Sequence, residues 1–349
     1  MPVDLSYTDG PYLRDILDQP RALERTLLGL KLSEGLHRVA RRLQEGKFKI
    51  IVLTGMGSSF HALHPLNIQL IQHGLTAIMV ETSELLYYQS HLFDSETLVV
   101  AVSQSGQSVE VVRLLEMNAG KSSIIAITNT ADSALAKGAD AAVVTQAGEE
   151  FSVSCKTYVT ALMALRWLGE VFCGRDIRHI QQQLECACPT VRDYLAQWRE
   201  HAENLAQILA GTSHLFLIGR GASLAAVWTG ALIIKESNRF YAEGMSSAAF
   251  RHGPLEMLSD KTFVLVFAGD KKTRELNHRL LADIRQTEGR ATIVDEDAAS
   301  PSCSVPSTPP SIGPIVEILP AQMATLALAA LTGREPGRFV LASKVTKKE

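Results

Sequence analysis

The chain is 349 residues long, enough for two domains of ordinary size and a sizeable core. With 46% hydrophobic and 20% charged residues, its composition is globular and excludes an intrinsically disordered chain. A formal net charge of −3 gives no electrostatic footprint for nucleic acid or an anionic membrane surface.

Residues 11–46 carry a helical pattern of leucines and isoleucines among charges, which Pro20 breaks into two helices. Strands and helices then alternate. Strands are predicted at 49–54, 76–81, 98–102, 123–128 and 141–145. Between them lie helices at 59–73, 84–89 and 109–117 and a helical turn at 133–137; a long apolar helix at 152–169 closes the series. Residues 175–210 read as one or two connecting helices, with Pro189 marking the boundary between halves. The alternation then restarts: strand 215–219, helix 222–237, short helix 246–250, strand 263–268, helix 272–287 and strand 291–294. A Ser- and Pro-rich loop at 295–313, a strand at 315–319, a helix at 322–331 and a polar tail complete the chain. This grammar predicts an α/β protein of two doubly wound parallel-sheet subdomains in tandem. The expected divisions are N-terminal helices in 1–45, a first subdomain at 46–174, connecting helices at 175–210, and a second subdomain with the tail at 211–349.

The halves resemble one another. Ile51-Val52-Leu53-Thr54-Gly55-Met56-Gly57-Ser58-Ser59 matches Phe216-Leu217-Ile218-Gly219-Arg220-Gly221-Ala222-Ser223: an apolar strand, Gly-x-Gly, then small residues opening a helix. The third glycine of a dinucleotide-binding G-x-G-x-x-G is missing from both copies, where Phe60 and Leu224 stand, so no nicotinamide or flavin is expected. The N-terminus, Met1-Pro2-Val3-Asp4, has neither the basic nor the apolar region of a secretory signal, and no apolar run approaches the roughly 18 to 20 residues of a membrane span. Five irregularly spaced cysteines suit reduced thiols in a cytoplasm. Cys186-Ala187-Cys188 is too tight for a zinc pair and has no second pair, so no metal is expected.

The densest chemical signal is Ser103-Gln104-Ser105-Gly106-Gln107-Ser108, between a buried-strand pattern and a helix. Hydroxyls and unpaired N–H groups at a helix N-terminus suit a phosphate, while a serine there also serves as an ordinary N-cap. Ser58-Ser59 and the stretch Ser152-Val153-Ser154-Cys155-Lys156 add two more hydroxyl-rich loops after strands. Three such loops at the carboxyl ends of one sheet suit a phosphorylated polyol. In the second half the corresponding loop is Ala268-Gly269-Asp270-Lys271, whose acid repels phosphate, so one phosphate site is expected per chain. Glu236 ends a helix after Leu232-Ile233-Ile234; the dipole and apolar surroundings raise its pKa and suit it to proton transfer, unless a surface lysine pairs with it. His252, before Gly253-Pro254, is an acid–base candidate or a structural histidine, and Lys344 in the tail is by itself a solvated lysine.

At these residues the chain resembles the sugar isomerase (SIS) family, and within it the isomerase half of the glutamine–fructose-6-phosphate aminotransferases. Asp18-Gln19-Pro20-Arg21-Ala22-Leu23 is similar to that group's E-Q-P-x-A-L, and Ser103–Ser108 to S-Q-S-G-E-[ST]. Lys235-Glu236 is similar to its helix-ending K-E, and Phe250-Arg251-His252-Gly253-Pro254 to its H-G-P motif. The resemblance implies that Ser103, Gln104, Ser105 and Ser108 hold the sugar phosphate, with Ser58 and Ser59 at the sugar and Ser154 or Cys155 lining the pocket. It implies that Glu236 shuttles a proton between C1 and C2, that His252 opens the sugar ring and reaches a partner subunit's site, and that Lys344 matches an imine-forming tail lysine. A homodimer or higher homo-oligomer follows, and enolisation needs no metal or redox cofactor.

The departures are informative. Pro2 stands where the group's glutaminase domain begins with a cysteine, so no glutaminase activity is expected. Ser343-Lys344 reverses the tail's K-S order, Ala249 replaces the acid before the H-G-P motif, and Ile233 replaces a helix lysine. The expected activity is isomerisation with deamination of an amino-sugar 6-phosphate, or cleavage of a fructosamine 6-phosphate (a deglycase). The competing expectations are a plain aldose–ketose phosphate isomerase and a non-catalytic sugar-phosphate-binding regulator.

Overall fold

The computed structural model describes residues 4–287, 289–341 and 344. The chain divides into two compact units. The first comprises Arg21–Glu149 and Lys156–Glu185, with Leu341 and Lys344 of the tail; the second comprises 4–20, Glu150–Cys155 and Cys186–Val340.

The first unit holds strands β1 (Ile50–Gly55), β2 (Ala77–Glu81), β3 (Thr97–Val102), β4 (Ser123–Thr128) and β5 (Ala141–Val144), all parallel in the order β2-β1-β3-β4-β5. β3 and β4 are buried along their whole length, which explains why they read as continuous apolar runs. Val52, Val99, Ala101, Leu114 and Ala126 centre one core cluster. Gly55 stands opposite Val102, so β1 and β3 end level and their loops leave the same edge.

The second unit holds β6 (His214–Gly219), β7 (Tyr241–Ser246), β8 (Thr262–Phe267) and β9 (Arg290–Val294), parallel in the order β7-β6-β8-β9. Phe216, Ile218, Phe250, Val264, Val266 and Ile284 form its core cluster, with Phe216 and Phe250 edge to face at 5.2 Å. The predicted tandem of doubly wound parallel sheets is therefore what the chain forms.

Several local expectations are corrected. The strand predicted at 315–319 is helical: Gly313–Glu317 and Leu319–Thr332 are successive helices. Pro314 and Pro320 each sit in a first turn, where their lack of an N–H costs nothing, and Ile315, Val316, Ile318 and Leu319 are all buried. An all-buried run carries no period that separates strand from helix. The same stretch, Gly313–Thr332, is long and apolar enough to cross a membrane, contrary to the sequence expectation; most of it is buried inside the protein as core helix. Strand β7 escapes the sequence reading because it is an edge strand with Glu243 and Gly244 in it. Gly244 is needed there, since a Cβ would stand 2.8 Å from the Val227 carbonyl oxygen. Pro65 splits the predicted 59–73 helix into Gly57–His61 and His64–Gln72. Pro20 sits inside the first turn of Gln19–Gly29, and Pro189 likewise inside Ala187–Ala196. The long helix predicted from 152 starts at Lys156 and ends at Phe172.

Candidate functional site

In the first unit the winding reverses between β1 and β3, the place where open α/β sheets bind ligands beyond their carboxyl ends. Ser58 and Ser59 lie there, half-buried, in the short helix Gly57–His61 after β1. The loop 103–108 leaves β3 and opens the helix Val109–Asn118. Its shape is fixed from within and from β4. Ser103 N–H donates to the Ile127 carbonyl at 3.0 Å, Asn129 N–H to the Gln104 carbonyl at 3.1 Å, and Leu135 N–H to the Gly106 carbonyl at 3.1 Å. Gly106 N–H donates to Ser103 Oγ at 3.1 Å, and Gln107 N–H to Ser105 Oγ at 3.3 Å. Gly106 has φ +60°, and a Cβ on it would collide with Ser133 Oγ at 2.3 Å, so only glycine serves.

Ser108 is where a capping role can be checked. Its backbone occupies the N-cap position, yet its side chain makes no capping hydrogen bond. The hydroxyl and the first-turn N–H groups of the helix are thus left for another acceptor. Ser103, Gln104, Ser105 and Ser108 are all half-buried, reachable rather than sealed.

In the second unit Glu236 lies on the helix Leu224–Asn238, two residues short of its end, where the sequence reading had stopped the helix. Arg239, with φ +51°, closes it in the left-handed conformation. Burial pushes the Glu236 carboxyl up to about 7; the Lys235 ammonium pulls the other way, and the Glu150 carboxylate adds to the rise. Such a carboxylate is a competent base at neutral pH.

The segment 150–155 belongs to this second unit. Phe151 N–H donates to Asp15 Oδ2 at 2.6 Å, and Cys155 N–H to Glu150 Oε1 at 2.9 Å. The first bond ties the third serine loop to 4–20 and the second closes it on itself, so it is not a loop of the first unit as expected. Ser154 is half-buried and Cys155 fully buried. Sequence reasoning missed Glu150 as a neighbour of Glu236; the only available signal was the second of two glutamates, Glu149 and Glu150, directly before the apolar and hydroxylated stretch Phe151 to Cys155.

His252 is exposed at the end of the helix Ser247–Arg251. Ser246 Oγ caps that helix, accepting from Ala249 N–H at 3.1 Å, and buried Phe250 anchors it in the core. Gly253 follows at φ +140°, a conformation only glycine tolerates, and Pro254 opens a 3-10 turn. The imidazole is thus presented from a rigid corner. Lys344 is half-buried and falls within the first unit; Ala342, Ser343 and Val345 to Glu349 of its motif lie outside the described residues. No group of three or more metal-ligating side chains occurs among the described residues.

The model of the SIS domain matches the chain twice, over residues 47–170 and 208–332. A glutamine–fructose-6-phosphate aminotransferase (isomerizing) of Pyrococcus horikoshii is 30% identical over 340 residues, covering 93% of this chain and 56% of its own length. The chain therefore spans about half the length of the curated relatives it matches. Among solved structures, the C-terminal domain of glucosamine-fructose-6-phosphate aminotransferase from Francisella tularensis aligns with a TM-score of 0.78 at 21% identity, over 93% of this chain and 96% of that one. A tagatose-6-phosphate ketose/aldose isomerase from Escherichia coli aligns with a TM-score of 0.76 at 20% identity, over 98% of both chains. At these identities the structural likeness speaks for the fold.

Proposed function

Since the chain belongs to the SIS domain family, we propose that it is an enzyme acting on an amino-sugar or fructosamine 6-phosphate. The observation that carries this reading is the loop 103–108, a hydroxyl-lined turn at a switch point whose cap serine does not cap its own helix. The phosphate is held by Ser103, Gln104, Ser105 and Ser108 and by the first-turn N–H groups, and the sugar hydroxyls by Ser58, Ser59 and Ser154 or Cys155. His252 opens the ring by moving a proton between the anomeric hydroxyl and the ring oxygen. Glu236, with its carboxyl near neutrality, removes the proton from one of C1 and C2 and returns it to the other.

Both substrate classes follow from that step. A 2-amino aldose becomes the C2 imine of a ketose, and water then adds to the imine carbon and expels ammonia. A fructosamine becomes the C1 imine of an aldose, and water expels the amine. Lys344 is proposed to condense with the open-chain carbonyl, losing water to form an imine, and to be released when water hydrolyses that imine. The protein works as a cytoplasmic homodimer or larger homo-oligomer, with exposed His252 serving the partner subunit's substrate.

Incubating the protein with a panel of amino-sugar and fructosamine 6-phosphates, and following ammonia, amine and free sugar phosphate, tests the reading. Turnover with solvent deuterium at C1 or C2 is expected. Absence of turnover with every member, despite binding, would replace it by a sugar-phosphate-sensing role. Mixing His252→Ala with Glu236→Gln subunits should restore partial activity if His252 acts in trans. A plain aldose–ketose phosphate isomerase is the second reading, favoured by the near-complete alignment with a ketose/aldose isomerase structure; interconversion of unaminated sugar phosphates would select it.

A further inference from the structure

The second sheet has a switch point of its own, between β6 and β8. Three segments meet at its carboxyl edge: Arg220–Ser223 after β6, 268–273 after β8, and the helix Gly313–Glu317. Ser223 Oγ donates to Glu317 Oε1 at 2.8 Å, fixing that carboxylate. Gly269 has φ +74°, and a Cβ on it would stand 3.3 Å from Ser223 Oγ, 3.5 Å from Thr273 Oγ1 and 3.7 Å from the Arg220 carbonyl oxygen. A bare Cα thus leaves room where the β6 and β8 loops come together.

Three buried polar atoms here have no hydrogen-bond partner among the described residues: Arg220 Nε, Thr273 Oγ1 and Glu317 Oε2. Buried polar groups in folded proteins are nearly always paired, and three orphans on segments that adjoin at one sheet edge suit an outside molecule that completes the bonding. Their chemistry selects that molecule. Arg220 only donates, an ionised Glu317 only accepts, and Thr273 does either. Hydroxyl groups answer all three. A phosphate does not, because Glu317 and Asp270 both oppose an anion. Burial pushes the Glu317 carboxyl up to about 7, against the Ser223 hydrogen bond and helped by Asp270 and Asp295. Glu236, twelve residues into the helix that begins at Leu224, stands about 18 Å away along its axis at 1.5 Å per residue.

We propose that this crevice is a second binding site, for an unphosphorylated sugar or amino sugar, held by Arg220, Thr273 and the Ser223-fixed Glu317. It goes beyond the proposed activity, which uses none of these residues.

Calorimetry on the full chain with glucose, glucosamine and their 6-phosphates tests it. Unphosphorylated glucosamine or glucose should bind saturably. A Ser103→Ala/Ser105→Ala variant should keep that binding while losing affinity for the 6-phosphates. Arg220→Met or near-isosteric Thr273→Val should weaken it at least tenfold. Hydrogen exchange of 268–273 in the unaltered protein should slow when the sugar is added, a readout that needs no variant. No saturable binding, loss of binding in the Ser103→Ala/Ser105→Ala variant, unchanged affinity in both crevice variants, or unchanged exchange at 268–273 would each overturn the proposal.

Discussion

The loops that follow β3 and β8 hold the same place in their sheets and have the same length, six residues, yet opposite chemistry. Residues 103–108 offer three hydroxyls and no charge; residues 268–273 offer an aspartate, two lysines and one hydroxyl, Thr273. Both lead from a fully buried strand into a helix. Backbone geometry supplies an anion-favouring helix N-terminus in each, and the side chains decide whether an anion is welcome. In the second loop the aspartate turns inward on its own backbone: Asp270 Oδ1 accepts from Lys272 N–H at 3.0 Å and the Asp270 carbonyl from Thr273 N–H at 3.1 Å. In the first, the serines satisfy the loop and Ser108 keeps its hydroxyl out of capping. A repeated scaffold thus presents the same edge in both copies with opposite side-chain chemistry.

That contrast can be broken from either side. The largest effect is expected from Glu236→Gln, which removes the proposed base in the second unit and leaves the serine loop of the first untouched. Turnover should fall by roughly 10² to 10⁴, the usual worth of a general base, with sugar-phosphate affinity preserved in calorimetry. Next comes Ser105→Asp, which imports the second loop's acid into the first. It forfeits a hydrogen bond to a charged group, worth about 1.5 to 3 kcal/mol, and adds repulsion, so 6-phosphate affinity should drop about 100-fold. The same titration with an unphosphorylated sugar should barely change.

Glu317→Gln sharpens the comparison through stability. The folded carboxyl holds its proton to about 7, whereas an ordinary one releases it near 4.5. Between those values the folded state binds more protons, so its stability falls as pH rises, and the full cost stands above pH 7. Glutamine removes the cost while its amide oxygen still accepts from Ser223. At pH 8 the variant should be more stable by about 3 kcal/mol in chemical denaturation, and the gain should vanish toward pH 4. The smallest effect is in the pH profile: kcat/KM should climb about tenfold per unit as pH rises to about 7, where Glu236 ionises, and then level off. A limb that survives in Glu236→Gln would assign it to another group.

The fold was legible where periodicity is unambiguous. The alternation of fully buried strands with helices is a long-range pattern that survives errors at any one element, and the paired Gly-x-Gly turns exposed the duplication. Strand β7 was illegible because an edge strand with a glycine and a glutamate is stabilised by its neighbour and by the approach of Val227 and Trp228, not by its own propensity. The 315–319 run was misread because complete burial erases the difference between the two periods. At the site, the serine loop and the raised carboxyl of Glu236 were readable from position and composition. Glu150 was not, since its nearness to Glu236 arises from a six-residue segment joining the other unit.

That exchange of segments means neither unit is a continuous stretch of chain, and no single cut releases either whole. Cleaving at 185 would strip the second unit of Asp15, which holds Phe151, and of Gln19, whose amide pairs with Gln322 at 2.8 Å. It would also remove Tyr12, hydrogen-bonded to Thr325 at 3.3 Å, and the 3-10 turn Leu5–Thr8 that packs on the helix Leu319–Thr332. The carboxyl-terminal fragment would then present to water an apolar helix of bilayer-spanning character, which residues 4–20 ordinarily help to hide. Residues 5–19 therefore wait for a partner that is made last, and their contacts close only once the helix Leu319–Thr332 is present.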